Sequence, residues 1–351
     1  MSTSLKALLG TELPMIQAPM AGVQGSALAL AVSGAGALGS LPAAMLTPDQ
    51  LRSELTVLAA SGRPYNVNFF CHTPPQADPA REAIWRAALA PFYAEAGLDL
   101  GAVSAGAGRL PFSDAVADLI EPFRPPVVSF HFGLPTPELV GRVKSWGATV
   151  LSSATTVDEA RWLVQRGTDA VIAQGLEAGG HRGLFLTGDL STQVGTFALL
   201  PQIVRAVDVP VIAAGGIADA AGVAAAMALG AAGVQVGTAY LLCIEATTSA
   251  VHRAALQSEA ARHTALTNVF TGRPARGIVN RVMRELGLLS AAAPAFPLAT
   301  AAMAPLRAWG EQRASGDFSP LWAGQNASGC QAVGAAELTR ALAAGFAAAG
   351  P

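Results

Sequence analysis

The 351-residue sequence predicts an α/β protein: a (β/α)8 barrel with a smaller helical second domain over the face where its strands end. Three observations predict it. Short apolar runs alternate with longer helical patterns from Met15 to Val236. The later runs lack polar alternation, as parallel strands buried on both faces do. The first run is followed by QAPMAGVQGS, without the GxGxxG that an open dinucleotide-binding sheet carries there.

In chain order the strands are expected at Met15–Ala18, which ends in Pro-Met-Ala-Gly, and at Ala37–Leu41, after a Gly-rich link. Tyr65–Phe70 (YNVNFF), Pro126–Phe130, Thr149–Ser153 and Ala170–Gln174 follow, then Val209–Ala213 and Gly233–Val236. Between them Pro48–Ala60, Thr156–Arg166, Phe197–Val207 and Asp219–Leu229 read as helices. Thr156 and Asp219 stand at N-cap positions, and Gly230 where a helix ends. Eight such units make a TIM barrel over residues 1–243.

After Tyr240 the alternation stops. Ile244–Thr264 is Ala-rich and helical, FTGRPARG reads as a turn, and Gly272–Ser319 holds helices with Pro294, Pro297 and Pro305. No strand is expected there, so 244–324 reads as a helical cap domain. Residues 325–351 return to the barrel, with Ala335–Ala349 as a closing helix.

Composition narrows function. The chain is 52% hydrophobic and 13% charged, against roughly 25% charged for an average domain. Its 22 basic and 24 acidic residues leave no footprint for nucleic acid or an anionic membrane. Cys71, Cys243 and Cys330 have no metal-ligand spacing and suggest a reducing, cytoplasmic setting. The N-terminus has too short an apolar run for a signal peptide. The longest apolar stretch, Gly216 to Val236, is broken by Asp219 and glycines, unlike a membrane span.

In such a barrel, ligands sit beyond the C-terminal strand ends. Three of these ends are glycine-dense: Gly179-Gly180 after the sixth strand, Gly215-Gly216 after the seventh, and Gln235-Val236-Gly237-Thr238 at the eighth. Bare backbone N–H groups before helices on adjacent strands suit a phosphate. Asn68 and Gln174, with the Ala18-Pro19-Met20-Ala21 backbone, would bracket a planar ring. Flavin mononucleotide (FMN) fits that mouth; amides satisfied by neighbouring backbone are the alternative. Of the five histidines, His252 and His263 are expected in solvent, and His72 is undecided. His131 ends the fourth strand between two phenylalanines, where an imidazole can act as a base or pair with an anion. His181 follows the double glycine and can polarise a substrate atom.

These motifs closely resemble the class I nitronate monooxygenases. QAPMAG, YNVNFF, VSFHFGLP, AQGLEAGGHRG, AAGGIAD and QVGTAYL occur in the family's order, and FTGRPARGIVN and SPLWAGQ extend the match to residue 328 or so. The resemblance implies FMN contacts from Ala18, Pro19, Met20, Ala21, Asn68 and Gln174. It places Gly179, Gly180, Gly215, Gly216, Gln235, Val236, Gly237 and Thr238 around the phosphate and ribityl chain. It also makes His131 the catalytic histidine, with His181 a second polar group in the pocket. The implied reaction oxidises an alkyl nitronate such as propionate 3-nitronate with molecular oxygen to a carbonyl compound and nitrite, without nicotinamide. His131 would pair with the nitronate as imidazolium, or deprotonate a nitroalkane as neutral imidazole. No metal, nucleic acid or membrane is implied, and the chain is expected to be a monomer or homodimer.

Some relatives place tyrosines and a lysine near the pocket. This chain has only Tyr65, Tyr93 and Tyr240 and no lysine after Lys144. Phe296 and Phe318 offer apolar surface instead, and Arg182, Arg273 or Arg276 are candidate replacements for the lysine, or else surface ion pairs. Two other readings remain: an NAD(P)H-dependent quinone or enoyl reductase on the same barrel, with His181 as the working residue, and a non-catalytic FMN-binding module.

Overall fold

The computed structural model describes residues 4–103 and 109–348. Its strands are β1 (Met15–Gln17), β2 (Gly39–Pro42), β3 (Tyr65–Phe70), β4 (Val127–His131), β5 (Thr149–Ala154), β6 (Ala170–Gln174), β7 (Gly180–His181), β8 (Val211–Ala214), β9 (Gly233–Val236), β10 (Thr264–Thr267) and β11 (Ala275–Ile278). Eight of them form one parallel sheet in the order β1-β9-β8-β6-β5-β4-β3-β2. A parallel bridge between Ile16 and Leu38 joins the two ends and closes the barrel. The eight strands are those expected, with ends displaced by no more than two residues.

Burial on both faces explains the unbroken apolar runs. Val128, Val150, Val171, Ala213 and Val234 belong to one core with the surrounding helices. At the N-terminal strand ends, Leu5 and Leu9 of the short helix Leu5–Leu9 pack with Ile16, Leu38, Leu151 and Ile212. That plug leaves the opposite end for a ligand. Helix starts follow local chemistry: Thr156 accepts from Glu159 N, and Asp219 from Gly222 N. Helix Ala335–Ala348 lies against helices Ala220–Ala228 and Ser26–Gly34. The Tyr240 hydroxyl meets Thr339 Oγ1 at 2.8 Å across that seam.

The region over the strand ends differs from expectation in two ways. It contains strands: β10 and β11 pair antiparallel, and β7 adds to β11 with Ala275 opposite His181. Four-residue strands are too short to show a period, and the third partner comes from about a hundred residues earlier. The layer also recruits helix Pro79–Ala96, inserted after β3. Its Trp85, Leu89 and Tyr93 pack with Met303, Leu306 and Phe318, and the Tyr93 hydroxyl donates to Ala302 O at 2.7 Å. Among the described residues, no helix is long and apolar enough to cross a membrane.

Candidate active site

A cavity of about 410 Å³ opens where β1, β3, β4, β6, β8 and β9 end, a size that suits a cofactor or small ligand. Met20 and its neighbours Ala18, Pro19 and Ala21 form one wall. Asn68 and His131 line it from β3 and β4, and Gln174, Gly179, Gly180 and His181 from β6 and its loop. Gly215, Gly216, Gln235, Gly237 and Thr238 complete the far side. Val236 is the exception. Its side chain is buried in the barrel core, and its carbonyl accepts Ala18 N at 2.8 Å.

His131 is half-buried on the cavity wall. Its Nδ1 lies 2.5 Å from Ser153 Oγ, and its Nε2 lies 3.2 Å from the His181 carbonyl oxygen. The same carbonyl accepts the Gln174 amide at 3.0 Å, and Gln174 Oε1 accepts Gly183 N at 2.8 Å. Burial pushes the His131 imidazole down to about 3, with nearby Arg273 and Arg182 acting in the same direction. Burial therefore favours the neutral ring over the imidazolium form. The two amides serve their neighbours too: Asn68 Nδ2 donates to Ser129 Oγ at 2.9 Å, and Gln174 braces its own loop.

His181 is fixed from above, where its Nε2 lies 2.9 Å from Thr271 Oγ1. Phe296 and Trp322 rings stand 5.3 and 5.6 Å away, and burial holds the imidazole well below its usual range. His72 is buried edge-on to Phe296 at 4.8 Å, outside the cavity lining, and neither ring nitrogen meets a well-aligned partner among the described residues. The solvent placement holds for His263 but not for His252. His252 is 4% exposed and lines the cavity with Arg307 and Glu311. Its helix is short, and the layer above the barrel covers the face that the sequence left open.

The three candidate arginines prove to be braces, neither surface ion pairs nor cavity cations. Arg182 is fully buried and donates to the Gly175 and Gln174 carbonyls at 2.7 and 2.9 Å. Arg276 donates to Leu176 O at 2.9 Å, and Arg273 lies 3.9 Å over the Phe132 ring. Arg109 and Arg307 line the cavity instead.

On the far side, Gly215 and Gly216 adopt φ of +117° and +77°, which a side chain would strain. The helix that follows is already capped by Asp219, so an anion here would meet loop amides more than a free helix end. Glu177 is turned onto Thr196 N and Oγ1, both at 2.8 Å. Gln235 Oε1 is buried with no hydrogen-bond partner among the described residues. Sequence reasoning gave no role to Ser153 or Thr271, and saw Gly183 only as part of the glycine-dense loop. A hydroxyl inside an apolar strand carries no signal until its neighbour across the sheet is known.

The chain matches the nitronate monooxygenase family over residues 2–345. A nitronate monooxygenase of Pseudomonas aeruginosa is 42% identical over 344 residues, covering 95% of this chain and 96% of that protein. Another, from Paraburkholderia phytofirmans, is 40% identical over 97% of this chain and 93% of its own length. Among solved structures, nitroalkane oxidase from Streptomyces ansochromogenes superposes with a TM-score of 0.90 at 39% identity, covering 99% of both chains. A (β/α)8 barrel with a histidine-lined cavity at its strand ends, in such company, is an oxidoreductase. The chain belongs to the nitronate monooxygenase family.

Proposed function

We propose that the protein binds FMN in this cavity and oxidises alkyl nitronates, such as propionate 3-nitronate, with molecular oxygen to a carbonyl compound and nitrite. The observation that carries the reading is His131, a neutral imidazole held at both nitrogens on the wall of a cavity at the strand ends. The residues suit FMN: among the described residues, Gln235 presents a buried amide oxygen without a partner, and a Cβ on Gly180 would meet nothing within 4 Å. Gly215, Gly216, Gly237 and Thr238 would hold the phosphate and ribityl chain, and Met20 and Asn68 the ring. Bound there, FMN supplies the redox chemistry.

The chain's own work is positional and electrostatic. His131 offers a hydrogen bond to the nitronate oxygens, and His181 offers a second polar edge across the cavity. Phe70, on the lining beside them, excludes water from the reacting anion. Two measurements test the reading: the chromophore released from denatured protein, and oxygen uptake with nitrite release on adding propionate 3-nitronate without nicotinamide. FMN release and nitronate-dependent oxygen consumption are expected. Rapid NADH oxidation with no nitronate-dependent uptake would establish the reductase reading instead.

A further inference from the structure

Ser153 is buried on β5, beside β4, where it also borders the cavity. It faces His131 Nδ1 at 2.5 Å, a short contact even for a hydroxyl donor. The other ring nitrogen faces the His181 carbonyl, which can only accept, so Nε2 carries the proton. Nδ1 is then a lone-pair acceptor, and the Ser153 hydroxyl is its donor. We propose that Ser153 is a positioning residue: it fixes His131 as the neutral Nε2–H tautomer, so that the imidazole serves as a hydrogen-bond donor to a bound anion. This rests on the nitronate reading above for the identity of the anion, though not for the tautomer.

Two further contacts complete the device. The His181 carbonyl receives the Gln174 amide at 3.0 Å as well as His131 Nε2 at 3.2 Å. If the His131 Nε2–H is shared with a ligand while Ser153 holds Nδ1, the His181 carbonyl keeps its Gln174 partner and nothing buried is orphaned. Gly183 supplies the space: a Cβ there would lie 3.0 Å from His131 Cε1 and 3.3 Å from Ser153 Oγ. Serine, histidine, glutamine and glycine thus form one connected set across β4, β5, β6 and the following loop. With Ser153 donating to Nδ1 and the carbonyl accepting from Nε2, neither nitrogen stands free as a base. A donor to an existing anion is what this geometry offers.

The test is imidazole ¹⁵N NMR on the purified protein as isolated, labelled at histidine, with the His131 signals assigned by loss in His131→Asn. The expected wild-type spectrum has a protonated Nε2 and a hydrogen-bonded, unprotonated Nδ1, unchanged from about pH 5 to about pH 9. Ser153→Ala should move the Nδ1 resonance to that of a free imine nitrogen. The same change should lower kcat for propionate 3-nitronate about tenfold while leaving KM within about twofold. Ser153→Thr, which keeps the hydroxyl, should restore the spectrum. A protonated Nδ1 in the wild type overturns the proposal without any variant, and so does an unchanged His131 spectrum in Ser153→Ala. If the wild type consumes no nitronate, the functional reading fails while the spectrum still decides the role of Ser153.

Discussion

Thr271 Oγ1 lies 2.9 Å from Nε2 of His181, so a residue from the layer above the barrel holds a histidine that belongs to a barrel loop. The pairing of β7 with β11 brings them together, setting His181 opposite Ala275. His131 shares only part of this anchor: its Nε2 faces the His181 backbone carbonyl, but its Nδ1 partner Ser153 comes from the adjacent barrel strand. The two imidazoles therefore have different side-chain partners, Ser153 and Thr271, and should respond to different substitutions.

Thr271→Val removes the hydroxyl while keeping the shape. The His181 edge is then held by aromatic packing alone, and the loss of one buried hydrogen bond costs about 1 kcal/mol. KM for the nitronate should rise several-fold, with the flavin content unchanged. Steady-state oxygen uptake beside an absorbance spectrum checks both; a parallel loss of flavin would show that Thr271 supports the cofactor instead.

His131→Asn keeps a polar side chain but loses the aligned donor. Removal of one preorganised donor costs roughly 10²- to 10³-fold in rate. The variant should bind flavin and consume oxygen at that lower rate. Rates near wild type would remove His131 from the mechanism.

Gly183→Ala places a methyl 3.0 Å from His131 Cε1. Overpacking of this kind costs about 1–3 kcal/mol. The ring should shift off Ser153, so activity should fall before stability does. Comparing kcat with the urea midpoint separates the two effects.

Gly215→Ala strains a backbone with φ of +117° and brings a Cβ within 2.9 Å of Thr196 Oγ1. The loop must shift by several tenths of an ångström, which disrupts the amides proposed to hold the phosphate. The variant should purify with little flavin yet keep its helical circular dichroism.

Stability should depend on pH through the buried histidines. Burial lowers His131 to about 3 and His252 to about 4, and it shifts His72 and His181 in the same direction. Between those values and the unfolded value of about 6.5, the unfolded chain binds more protons than the folded one. Stability is thus fully present above about pH 6.5 and declines below it, by up to about 1.4 kcal/mol per pH unit for each histidine. Urea midpoints measured from about pH 7.5 down to about pH 4.5 should fall steadily, and less steeply in His131→Asn. A flat profile would contradict the burial of these rings.

The barrel was legible because its evidence is local. Val127-Val128 and Val211-Ile212 open short apolar runs that suit a sheet covered on both faces, and Asp219 and Thr156 cap their helices within three residues. The glycines of the far wall were legible for the same reason. The layer above the barrel was not, because β10 and β11 are short and find β7 and helix Pro79–Ala96 only across long stretches of chain. His252 looked like a solvated helix residue for want of knowing what covers it.

The eight barrel strands, and the position of His131 at the end of the fourth, could be read from the sequence alone. Tertiary structure decided how each of those groups is used. Gln174 and Arg182 brace a loop, Arg273 stacks on Phe132, and Ser153 and Thr271 hold the two imidazoles. The physical reason is that strand and cap signals follow from neighbours along the chain. A hydrogen bond such as that between Ser153 and His131 exists only once the sheet register sets two distant residues side by side.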